Sequence, residues 1–108
     1  MSPTITGVMS VKGLVGPVHN DRKISEENVR TFDAREEDGM RAWVKDQMAE
    51  LRLKILDRKK ERERVTSRWQ YQVRPAKNEK GRWVWQVWLV EYDATDTDGE
   101  AGNVSVKW

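Results

Sequence analysis

The chain has 108 residues, 35% of them charged and 37% hydrophobic, with a net charge of +2, six tryptophans and no cysteine. That length holds one domain with one modest core, and six tryptophans are incompatible with a disordered chain. Near-neutral charge excludes a wholesale acidic nucleic-acid mimic and gives little support to a strongly basic binder, and the missing thiols exclude disulfides, thiolate metal sites and cysteine nucleophiles.

No stretch approaches the roughly 18 apolar residues of a membrane span. The N-terminal run has no basic leader and is broken by Gly7, Lys12 and Gly13, unlike a signal peptide. A cytoplasmic setting is the expectation, or the virion if a phage encodes the chain.

Residues 1–24 carry Pro3, Gly7, Gly13, Gly16 and Pro17, with Ile5, Met9 and Val11 alternating against polar neighbours. They read as an extended N-terminal arm: either a frayed tail or an edge strand added to this sheet or a neighbour's. Residues 25–108 form the domain. Ser25 can cap a short turn through Glu27 and Val29.

Asp33-Ala34-Arg35-Glu36 fits a capping box. From there a helix is predicted over about 34–66, because Met40, Val44, Met48, Leu51 and Ile55 recur at spacings of four and three and so line one face. Trp43, Leu53 and Leu56 flank that stripe, and Gly39 weakens its first turn. Asp57 to Arg64 are eight consecutive charged residues with no apolar position among them. The last two turns are therefore expected to project from the core.

After Ser67 the period becomes 2. Strands are predicted at about 68–74, 82–92 and 103–108, and only the middle one is apolar on both faces. The predicted fold is α+β: one long amphipathic helix packed on a three-stranded antiparallel β-meander. A five-residue loop, Lys77 to Gly81, would set Trp69, Tyr71 and Val73 beside Leu89, Val87 and Trp85. Trp69, Trp83 and Trp85 are then the expected core tryptophans.

Chemistry is poorly represented. His19 is the only histidine, too little for a metal site without thiols or a second imidazole. The acidic loop Asp93 to Glu100, aligned on Gly99 as an EF-hand, puts Ala94 and Ser105 at the first and last ligand positions, and both fail. Gly13-Leu14-Val15-Gly16 lacks the Gly-Lys-Ser/Thr ending of a phosphate loop. No catalytic residue, metal, cofactor or small-molecule substrate is expected.

Two surfaces remain. Val84, Trp88, Val90 and Tyr92 share a face with Arg68, Gln70, Gln72 and Arg74, opposite the expected core, and Trp, Tyr and Arg are the residues enriched at interfaces. Arg58, Lys59, Arg62 and Arg64 form a basic helix end, a gradient that the helix macrodipole itself favours and that also suits phosphate or an acidic partner.

The expected function is a non-catalytic assembly or interaction protein, oligomeric, such as a subunit of a phage or viral particle, binding protein through the sheet, the arm and the charged helix end. The alternatives are a nucleic-acid-binding protein using the Arg/Gln/Trp face and the basic helix end, or a small protein inhibitor.

Overall fold

The computed structural model describes residues 22–95 and 99–108. The expectations for the arm's Ile5, Met9 and Val11, and for His19, lie outside those residues. In chain order the elements are β1 (Lys23–Asp33), a 3-10 turn (Ala34–Glu36), α1 (Glu37–Lys60), β2 (Ser67–Lys77), β3 (Trp83–Asp93) and β4 (Val104–Lys107).

The capping box forms. The Asp33 carboxylate accepts from the Arg35 amide at 2.9 Å, and the Asp33 amide donates to the Glu36 carboxylate at 3.0 Å. Behind it, α1 buries Met40, Val44, Met48 and Ile55, four of the five stripe positions that the spacing predicts, and the fifth, Leu51, is half-buried against the same core. Leu53 and Leu56 are exposed on the outer side.

The helix ends at Lys60 rather than 66. Arg62 adopts a left-handed conformation (φ 62°), with Arg62 N–H bonded to the Lys59 carbonyl at 3.0 Å and Glu63 N–H to the Arg58 carbonyl at 2.9 Å. This is a Schellman reversal with arginine where glycine is usual. An Arg58–Glu63 ion pair (3.4 Å) joins the positions that ordinarily make its hydrophobic contact. With no apolar residue between Asp57 and Arg64, nothing in the core rewards two further turns. The expected projection is thus one exposed turn and a reversal.

The sheet has four strands and is mixed, in the order β1-β3-β2-β4, correcting the three-stranded antiparallel meander. β1 includes the segment from Ser25 to Val29 that was expected as a turn. It pairs antiparallel with β3, shifting register between Lys23 and Ser25 and between Asn28 and Arg30. Since β1 occupies that edge of β3, β4 pairs with β2, and in parallel.

The chain reaches β4 by passing the start of β2, where Ala94 N–H bonds the Thr66 carbonyl and Gly102 N–H the Ser67 carbonyl. Gly102 sits at φ 89°, and a Cβ there would lie 2.9 Å from Lys59 Nζ. The left-handed conformation favours glycine there, while the close approach itself involves only the mobile end of the Lys59 side chain.

The β2–β3 hairpin has a five-residue loop, but over residues 78–82. Asn78 Oδ1 accepts from the Lys80 and Arg82 amides, and Gly81 adopts φ 74°. The register is Tyr71↔Leu89, Val73↔Val87 and Pro75↔Trp85, two residues from the expected pairing. A shift of two keeps every side chain on its face.

Phe32, Trp69, Tyr71, Val73, Val87 and Val104 accordingly meet the helix stripe in one core, with Trp85 and Leu89 packed beside them. Trp83 is the exception among the expected core tryptophans. The shift carries it to the hairpin end, 57% exposed.

Candidate functional site

The helix covers one face of the sheet. On the other face, the even-numbered residues of β2 stand beside those of β3: Arg68 with Tyr92, Gln70 with Val90, Gln72 with Trp88, Arg74 with Gln86. All eight residues predicted for this surface therefore lie together. Glu26 and Asn28 of β1 extend the rows opposite Val90 and Trp88.

The aromatic rings are not bare. The Arg68 guanidinium lies 4.2 Å from the Tyr92 ring centroid, and that of Arg74 lies 4.7 Å from the Trp88 centroid. Gln72 Nε2 donates to Gln70 Oε1 and to Tyr92 Oη, both at 2.9 Å. Gln72 Oε1 accepts from Arg74 at 2.7 Å, and the Trp88 indole N–H donates to Gln86 Oε1 at 3.2 Å. Arg74 also bonds the Glu26 carboxylate, which Lys23 approaches at 3.3 Å. Arg68 pairs with Glu100 at 3.4 Å. Hydrogen bonding from Arg74 above all holds the Glu26 carboxyl below the usual carboxylate range.

The result is a charge-compensated network of stacked and hydrogen-bonded side chains. Val90 is completely buried within it, and Val84 is 8% exposed at its end. Trp88 and Tyr92 are half-buried, and the arginine stems and planes form part of the outer layer.

At the hairpin end, Trp83 stands over a pit of about 450 Å³ lined by Ala34, Pro75, Val84 and Trp85, with Lys77 Nζ 5.1 Å from a Trp83 ring centroid. Its alternation pattern marked it as core, and only its place next to the Gly81 loop signalled otherwise.

The basic helix end is assembled in part. Arg58, Lys59, Arg62 and Arg64 are all exposed around the helix terminus, but Arg58 is already paired with Glu63. Among the described residues no cluster of three or more His, Cys, Asp or Glu is arranged to hold a metal, and no helix is long and apolar enough to cross a membrane. In the acidic loop, Asp93 accepts from the Thr95 amide and hydroxyl, which lowers its carboxyl below the usual range. Residues 96–98 of that loop lie outside the described residues. Comparison of the chain with protein-family models, curated proteins and solved structures finds no match in any of the three.

Proposed function

We propose that the chain is a non-catalytic assembly protein whose helix-free sheet face binds protein, in its simplest form a second copy of itself. The observation that carries this reading is the preorganised Arg68–Tyr92 and Arg74–Trp88 network, with both arginines already paired to acids. A face meant for nucleic acid needs unpaired cations to replace counterions on phosphate. A face meant for protein gains from rigid aromatic and arginine side chains with their charge compensated.

Area is sufficient. Eleven-residue strands at about 3.3 Å per residue, spaced about 4.8 Å apart, give a face roughly 36 Å long and 15–19 Å wide. That approaches the ~800 Å² per partner of a standard interface.

Light scattering across protein concentration tests the reading. The wild type should exceed the monomer mass and Arg74→Glu should return toward it, while Arg58→Glu at the helix end leaves the mass unchanged. A wild type that stays monomeric from micromolar to millimolar concentration contradicts self-assembly. The exposed cations Lys59, Arg62 and Arg64 support a second reading, nucleic-acid binding at the helix end. It predicts retardation of single-stranded DNA at low salt that is lost in Arg62→Glu and falls steeply with added salt.

A further inference from the structure

The end of the β2–β3 hairpin combines two features that neither the core nor the free face uses. The first is the aromatic pit. Exposed Trp83 borders it, and Ala34, Pro75, Val84 and Trp85 supply the other walls. Apart from the Trp83 indole itself, no side chain there has a hydrogen-bonding group to spare, because the Trp85 indole N–H is already donated to the Ala34 carbonyl at 3.2 Å. A flat ring can stack in the pit, but its edge goes largely unread.

The second feature is unspent charge. Residues 77–82 carry Lys77, Lys80 and Arg82 against Glu79 alone. The three cations are exposed and make no ion pair among the described residues. Asp33, the other acid within reach, is held by the Arg35 amide and guanidinium at the helix cap. All five charged groups line a groove of about 530 Å³ that shares Val84 with the pit. Asn78 Oδ1 accepts from the Lys80 and Arg82 amides, so the cations stand on a closed turn.

We propose that the hairpin end binds single-stranded nucleic acid, with one base stacked on Trp83 in the pit and the adjoining phosphates on Lys77, Lys80 and Arg82. A polyanion with a flat ring on every unit matches both features at once. An acidic peptide brings charge without those rings, and a duplex keeps its rings inside the stack. With little in the pit to read a base edge or a 2′-hydroxyl, DNA and RNA bind alike and sequence preference is small. Glu79 opposes the phosphates and limits affinity. The site lies at the start of α1, about 36 Å of helix away from the basic helix end. Apart from Val84 it uses no residue of the assembly face, so neither self-assembly nor binding at the helix end decides it.

A thymidine tetranucleotide is the probe, titrated at low salt into the full-length ¹⁵N-labelled chain and followed by NMR. The expected result is saturable shifts of the Trp83 indole N–H and the Lys80 and Gly81 amides, with the Trp88 and Trp43 indoles unmoved. Read at the Gly81 amide, Trp83→Ala should weaken binding roughly tenfold, the loss of one stacked base. Trp83→Phe, which retains a ring and guards against a disturbed hairpin, should keep most of the affinity. Lys80→Gln should weaken binding and flatten its dependence on salt by about 0.7 in logarithmic slope, and Glu79→Gln should tighten it. Arg62→Glu should leave the hairpin shifts unchanged. Absence of saturation at the hairpin, or equal affinity in Trp83→Ala, would overturn the proposal. So would a duplex or polyglutamate of equal charge competing as well as the unlabelled oligonucleotide. Shifts confined to the surroundings of Arg62 would overturn it too, while leaving the helix-end reading in place.

Discussion

Val87 and Val90 lie three residues apart on β3, point to opposite faces of the sheet, and are both fully shielded from water. They reach that state by different means. Val87 belongs to the core between sheet and helix, where apolar side chains from β1, α1, β2, β3 and β4 interlock. Val90 lies outside that core, opposite Gln70 of β2 and Glu26 of β1 and between Trp88 and Tyr92 on its own strand. One face is buried by another element and the other within its own polar network. A surface of the second kind is ordered and apolar underneath while keeping a polar outer layer, which is what a protein interface requires before its partner arrives.

The comparison is most strongly tested in the core. Met40→Ala, on the covered face, should cost about 2–5 kcal/mol in denaturant unfolding, since a rigid helix–sheet contact cannot close the cavity. Val90→Ala should cost less, about 1–2 kcal/mol, because the flexible side chains around it can settle into the space. Equal losses would mean that both faces are packed alike.

Next in size is the coupling within the free face. A double-mutant cycle on Arg74 and Trp88 should return about 0.5–1 kcal/mol of interaction energy. Zero coupling would reduce the stack to coincidental proximity.

Smaller gains are expected at the helix ends. Arg62→Gly relieves the left-handed strain, and Gly39→Ala removes backbone entropy at a position with open space around it, each raising stability by about 0.5–1 kcal/mol in thermal unfolding.

The smallest effect concerns acid. The Arg35 amide, then the Arg35 side chain, hold the Asp33 carboxyl below its ordinary value. Its contribution is therefore fully present above the unfolded value of about 3.9 and is lost as pH falls through the lower folded one. The Arg35 amide resonance should follow this protonation, with a midpoint below the ordinary aspartate range. A midpoint at or above that range would remove the cap's electrostatic role.

Much of the covered face was legible in the sequence. The Met40 to Ile55 stripe, the Asp33–Glu36 box, the five-residue hairpin loop and the interior place of β3 all follow from local pattern and period. The miss at Trp83 was longitudinal: parity specifies the face, but a two-residue slide along the strand costs no change of face, and it separates core from exposed hairpin end. β1 was illegible because two register irregularities interrupt its alternation and only Phe32 is a large core residue. The helix end was hidden because Lys, Arg and Glu favour helix while the reversal relies on an arginine in a glycine conformation. On the free face the eight residues could be grouped by parity, whereas stacking of arginines on rings depends on diagonal distances across strands.

The central claim, that the free face is the surface of self-assembly, is tested most directly by the tryptophan indole resonances during dilution. On going from millimolar to micromolar protein, the Trp88 indole N–H should shift along with its neighbours on that face, while the indole of Trp43, a helix residue packed against the core on the covered side, stays in place. A stationary Trp88 signal across a dilution in which the measured mass falls would contradict the account and place the assembly surface elsewhere.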